Sequence, residues 1–155
     1  MKGDATVLST LNALLADELT AINQYIVQSE MCENWGYERL HKEIHKEAID
    51  EMKHAERLIE RILFLDGSPT VSKLNKINIG STVEAILNNN HAAELDAVQS
   101  YNNAIGACVK AADNGTRELL KSILTDEEAH IDWLEAQLDQ VKQVGIQMYL
   151  AEQLH

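Results

Sequence analysis

The sequence predicts an all-α protein: a four-helix bundle with one long crossover and a short C-terminal fifth helix. Three observations point there. Breakers are scarce, with one proline and seven glycines in 155 residues, which suits long helices. Apolar residues recur at steps of three and four in four separate stretches, the period of one helix face. The chain also repeats itself. An offset of 76 (127 − 51) joins Glu51 to Glu127, His54 to His130, Asp50 to Asp126, Glu18 to Glu94, Leu19 to Leu95, Ala21 to Ala97 and Tyr25 to Tyr101. Internal repetition of this kind organises a fold more than any single motif does.

The first helix is expected over about 5–34. Asp4 is its N-cap, and Leu8, Leu11, Leu15, Glu18, Ile22, Tyr25 and Ser29 form its stripe, which fades at Asn34-Trp35-Gly36. The second covers about 37–66, with Leu40, Ile44, Glu47, Glu51, His54, Leu58, Arg61 and Leu65 on one face before Gly67-Ser68-Pro69 ends it. Ser81 and Glu84 read as a capping box for the third, about 82–112. Its stripe is Val83, Leu87, Asn90, Glu94, Ala97, Tyr101, Ala104 and Cys108, and Asp113-Asn114-Gly115 stops it. Thr116 caps the fourth, about 117–144, which shows Leu120, Ile123, Glu127, His130, Leu134, Gln137 and Val141. Gly145 breaks it and leaves a short helical tail, about 146–153. Only Ile77-Asn78-Ile79 hints at a strand.

Short turns make the first and last helix pairs antiparallel hairpins. The middle connection, 67–81, reaches about 50 Å when extended, at roughly 3.3 Å per residue. A thirty-residue helix is about 45 Å long. The connection can therefore cross the whole bundle and set the second and third helices parallel, the topology of ferritin-like bundles. The chain is long enough for one domain, 1–155, with a substantial core.

The formal charge of −12 argues against nucleic acid and anionic membranes as partners, because both repel it. Cys32 and Cys108 stand alone in sequence, so they read as reduced thiols of a cytoplasmic protein. No signal peptide and no bilayer-spanning apolar run is visible.

The chemistry lies where carboxylates occupy leucine positions. Glu18, Glu51, Glu94 and Glu127 all fall on apolar stripes, and His54 and His130 follow one turn after a glutamate. One unpaired buried carboxylate costs several kcal/mol, so four in one core demand compensation. Two divalent cations would supply it. A lone Glu from each of two helices with Glu-x-x-His from each of the other two matches the ligand set of di-iron and di-manganese carboxylate bundles. Oxygen-rich ligation with one imidazole per metal favours iron or manganese.

Glu-x-x-His alone carries little, since Glu38/His41 and Glu152/His155 also have it. Those two lack the repeat and the upstream glutamate. His91 is in register with neither histidine and reads as a surface residue. Glu47 shares the stripe a turn nearer the bundle end, where it would face solvent or support a ligand. Tyr25 lies two turns after Glu18 on the same face, placed to hydrogen-bond a ligating glutamate or to donate an electron. Tyr101 is its mate, and either could instead be a plain core tyrosine. Met52 is about 100° round the helix from Glu51. It lies with His45, Ile49 and Ile59 on a face outside the core, as interface residues do.

Over essentially its whole length the chain resembles the bacterioferritins. The stretches MKGD (1–4), ADELTAINQY (16–25), IDEMKHAERLIERILFLDG (49–67), DEEAHIDWLE (126–135) and GIQMYL (145–150) carry the likeness. The resemblance implies a hollow homo-oligomeric cage of about two dozen subunits. It implies oxidation of Fe²⁺ by O₂ or H₂O₂ at a di-iron centre within each subunit, and storage of the ferric product as a mineral. Glu51 and Glu127 would bridge the two metals. It further implies b-type haem shared between two subunits, with Met52 as axial ligand, and a ferredoxin as electron donor for iron release. The tail would line a channel in the shell. The likeness departs at His45-Lys46, where relatives often carry an aromatic residue and a histidine. An accessory inner-surface metal site would keep Asp50 but lack that histidine. Two other readings remain: a di-iron or di-manganese peroxidase or catalase-like bundle without mineral storage, and a haem-binding interaction protein with a vestigial centre.

Overall fold

A computed structural model describes all 155 residues. It contains α1 (Ala5–Asn34), α2 (Glu38–Phe64), α3 (Val83–Lys110), α4 (Asn114–Val144) and α5 (Ile146–Ala151), and no strand. Residues 77–79 are extended without strand pairing. No helix is long and apolar enough to cross a membrane.

The caps explain where helices start and stop. Asp4 accepts the Val7 N–H at 3.0 Å, as its sequence position predicts. The first three helices end in the same turn, with one residue in the left-handed region: Gly36 (φ 86°), Asp66 (φ 58°) and Ala112 (φ 54°). In each case the next N–H reaches back five residues, as from Tyr37 to Cys32 O and from Asp113 to Cys108 O. These turns end α2 and α3 two residues before the expected points.

The expected caps of α3 and α4 need correcting. Thr82, not Ser81, caps α3 by accepting the Ala85 N–H. Asp113, not Thr116, caps α4. Its carboxylate accepts the Thr116 N–H at 3.0 Å and the Thr116 hydroxyl at 2.6 Å. That starts α4 three residues earlier than expected. Arg61 of α2 donates to Thr116 Oγ1 and to Asp113 Oδ1, which pins this turn to the end of α2.

The crossover runs along α1 and is laced to it. Leu65 O accepts the Gly3 N–H, beside the start of α1. Ser68 O and the Thr70 N–H then bond Asn12, the Asn75 N–H bonds Thr20 Oγ1, the Asn78 N–H bonds Gln24 Oε1, and Ile79 O accepts from Gln28. Those α1 positions recur every four residues or a multiple, on one polar edge. The segment therefore delivers the chain to the far end of α1, and α3 returns parallel to α2.

The apolar core has two parts. One gathers residues such as Leu11, Leu15, Leu58, Ile62, Leu120 and Ile123. The other gathers Leu40, Ile44, Ile86, Leu87, Leu134 and Tyr149. Each fully buried aliphatic side chain contributes roughly 1.5–3 kcal/mol. Tyr149 of α5 donates to Gln137 Oε1 at 2.8 Å, and Gln153 O accepts the Arg39 N–H, so the tail is docked on α4 and the start of α2. Cys32 and Cys108 are free and buried in opposite parts of the core.

Candidate metal centre

Between the two apolar parts lies a charged layer. α1 contributes Glu18, α2 Glu51 and His54, α3 Glu94, and α4 Glu127 and His130. None is more than 7 % exposed. They form two sets, Glu18–Glu51–His54–Glu127 and Glu51–Glu94–Glu127–His130. Within each set one ligand atom per residue lies inside 4.8 Å of the others. Glu51 and Glu127 belong to both.

His54 Nδ1 is 2.9 Å from Glu127 Oε1, 3.7 Å from Glu18 Oε2 and 3.8 Å from Glu51 Oε1. His130 Nδ1 is 3.2 Å from Glu51 Oε1, 3.5 Å from Glu94 Oε1 and 3.8 Å from Glu127 Oε2. These approaches lack hydrogen-bond alignment. Both histidine Nδ1 atoms, both Glu127 oxygens, Glu18 Oε2, Glu51 Oε1 and Glu94 Oε2 are buried without a hydrogen-bond partner. An orphaned buried polar atom costs about 1–3 kcal/mol, more if charged. All seven belong to the two sets, so this donor arrangement fits a pair of divalent cations.

The other atoms of these side chains are held by a crossed set of braces. Tyr25 of α1 donates to Glu94 Oε1 of α3 at 2.6 Å, and Tyr101 of α3 donates to Glu18 Oε1 of α1. His54 Nε2 of α2 meets Asp126 Oδ2 of α4 at 2.9 Å, and His130 Nε2 of α4 meets Asp50 Oδ2 of α2 at 3.2 Å. Every brace ties one half of the repeat to the other. A carboxylate only accepts, so each Nε2 carries the proton, which in the neutral ring leaves the Nδ1 lone pair facing the centre. Asp126 escaped the sequence reading as a supporting residue. Its signal was there, in its offset from Asp50, but the repeat does not show which helix a side chain reaches. Burial raises both phenols, with Glu94 and Glu18 respectively the next cause, so both hydroxyls stay donors.

Without cations, the surroundings of these groups favour holding protons in the layer. Burial, then the charge of Glu18, raises Glu51 well above the carboxylate range. Burial, then Glu127, does the same to Glu94. Burial alone would lower the histidines. The carboxylates outweigh it and raise both well above the ordinary imidazole value, Glu127, Glu18 and Glu51 at His54 and Glu127, Glu51 and Glu94 at His130. Glu127 is the ionised centre of this cluster: burial opposes its charge, but Glu94, His130 and His54 hold it below its ordinary value. Glu47 does not reach solvent as one sequence reading allowed. It is 5 % exposed, and burial pushes its carboxyl up to about 7.

The Ferritin family profile, a ferritin-like domain, matches residues 8–144. A bacterioferritin of Mycolicibacterium paratuberculosis is 41% identical over 152 residues, covering 98% of this chain and 96% of that protein. A bacterioferritin of Rhodobacter capsulatus is 42% identical over 147 residues, 95% of this chain and 91% of its own. The chain belongs to the bacterioferritin family.

The remaining candidates for a bacterioferritin-family role lie outside the layer. Met52 is 41 % exposed. Ile49 beside it is half-buried, while Ile59 packs partly on the core, so the outer apolar strip is shorter than the sequence suggests. Asp50 is half-buried and engaged with His130. His91 pairs with the exposed Glu135 at 3.1 Å.

Proposed function

We propose that this protein is a ferroxidase and iron store, oxidising Fe²⁺ among the six buried residues and keeping the ferric product as a mineral inside a hollow homo-oligomeric shell. The pair of ligand sets sharing Glu51 and Glu127 supports this above all else. Family membership supports the storage role.

Fe²⁺ is the substrate. A cavity of about 230 Å³ between α1 and α3 reaches Glu18, Glu51, Glu94 and Glu127, with Asp17 and Asp96 on its walls. A negative field there concentrates cations. Glu51 and Glu127, common to both sets, would be shared by two ions, while Glu18 with His54, and Glu94 with His130, would hold one each. Tyr25 and Tyr101 keep the terminal carboxylates oriented. Two ferrous ions held side by side would together supply the two electrons that, with two protons from water, convert dioxygen to hydrogen peroxide or hydrogen peroxide to two waters. Four hard anionic donors favour the Fe³⁺ that results.

The test is anaerobic addition of Fe²⁺ followed by air, with absorbance and particle size recorded together. Rapid ferric absorbance from a large hollow particle that retains iron is the expected result. Oxidation by a small oligomer that stores nothing would favour the peroxidase reading instead, and no oxidation would defeat both.

Met52 is the residue that would hold a haem across a two-fold axis, its exposed thioether facing the copy in a second subunit. Haem supplies a one-electron carrier when bound. Reconstituting Met52→Leu with haem is expected to leave no thioether-ligated absorption band while the subunits still pair. An unaltered haem spectrum in that variant would remove Met52 from the assignment.

A further inference from the structure

The charged layer opens on two sides, and the two mouths carry opposite character. The α1/α3 mouth is acidic, as described. The other lies between α2 and α4, a cavity of about 350 Å³ whose walls include Lys46, Asp50, Lys53, Arg57 and Asp126. The first four fall at successive steps of four, three and four on α2, hence on one face.

Three cations in one cavity are unexpected in a chain with 13 lysines and arginines and a net charge of −12. None of the three is within ion-pairing distance of a carboxylate; the only ion pairs of Asp50 and Asp126 are those with His130 and His54. Arg57 is held in place, since its Nη2 donates to Ser122 of α4, and Ser122 Oγ in turn donates to Leu119 O. The cavity thus holds three cationic side chains outside any ion pair, against two carboxylates, Asp50 and Asp126, each held at Oδ2 by a histidine. The excess of positive charge attracts an anion that accepts several hydrogen bonds at once.

We infer that the α2/α4 mouth is an oxyanion-binding site, in which Lys46, Lys53 and Arg57 hold inorganic phosphate or an oxyanion of the same shape and charge. The site exists independently of iron chemistry. Its consequence rests on the proposed function: a bound oxyanion would stand beside the two histidines, and its oxygens are hard donors for Fe³⁺ leaving the centre.

The test uses the whole metal-free protein at low ionic strength, titrated with inorganic phosphate and followed by calorimetry. Saturable binding is expected, near one phosphate per chain, with a Kd of about 1 mM or tighter. Lys46→Gln/Lys53→Gln is expected to weaken it about tenfold or more, the loss that one charge-assisted hydrogen bond carries. Lys46→Arg/Lys53→Arg should retain it. Co²⁺ uptake by the six buried residues should be the same in all three proteins, which separates this site from the metal centre. Sulfate should compete and equimolar chloride should not. Absence of saturable binding, equal affinity in the glutamine variant, or equal displacement by chloride would each overturn the inference.

Discussion

Replacing Glu94 and Glu127 together by glutamine is expected to abolish rapid Fe²⁺ oxidation and leave the assembled particle unchanged in size. Glutamine nearly matches glutamate in volume, so the apolar parts on either side keep their packing. The amide oxygen at position 94 can still accept the Tyr25 hydroxyl. What disappears is charge. Four carboxylates balance two divalent cations, and with two of them neutralised the buried pair would carry an excess of two positive charges. An uncompensated buried charge costs several kcal/mol, and each 1.4 kcal/mol is about a factor of ten. The loss should therefore reach roughly a hundredfold or more in the fast phase of ferric absorbance. The single variants should be unequal. Glu127 belongs to both ligand sets and Glu94 to one, so Glu127→Gln should impair both metal positions and Glu94→Gln chiefly the His130 side. Oxidation rates in the double variant equal to those of the unmodified protein would refute the site assignment.

The parts of this architecture that were legible in the sequence are those set by periodicity and length. Stripes at helical spacing placed four helices within a few residues, and the reach of residues 67–81 set α2 and α3 parallel. The offset of 76 picked six residues out of many acids and histidines, because only those had a glutamate upstream, a place on a buried face and a copy. What periodicity cannot supply is direction across helices. That Asp126 serves His54 and Asp50 serves His130, each from the opposite half, depends on where two faces meet in space. The turn before α4 was hidden for another reason. Gly115 is the visible breaker, yet the chain turns at Ala112 in the left-handed region, where a Cβ costs roughly 1–2 kcal/mol. Its mate 76 residues earlier is Gly36 (112 − 36), so the repeat preserved the turn geometry but not the residue best suited to it. Glu47 and the basic mouth were obscured because a charged side chain on a stripe gives no sign of how deeply its neighbours cover it.

Loading the centre with a pair of redox-inert divalent cations such as Zn²⁺ or Co²⁺ is expected to release protons and to raise the melting temperature by roughly 15–30 °C at pH 8. In the metal-free protein Glu51, Glu94, His54 and His130 are all raised, so each holds its proton to a higher pH than in the unfolded chain. Ligation needs all four deprotonated. Two divalent cations bring the positive charge of four protons, so the exchange can release up to four protons per metal pair. A ligand at about a thousand times its Kd stabilises by roughly 4 kcal/mol per site, and each kcal/mol moves the melting temperature of a chain this size by about 2–4 °C. The sign of the pH dependence follows from the same shifts. A carboxyl raised in the fold binds protons there that the unfolded chain has lost, so stability falls as pH rises above the ordinary carboxyl value. Glu47 adds to this fall up to about pH 7. A raised histidine contributes fully below its ordinary pKa and loses that contribution as pH climbs toward the folded value. All of these groups act in one direction: the metal-free protein should melt lower at pH 8 than at pH 5.5, and the loaded protein should escape much of that decline. Calorimetry in buffers of different ionisation enthalpy counts the protons. Metal uptake without proton release, and with affinity flat between pH 6 and 8, would mean that the layer is not balanced by protons when its cations are gone.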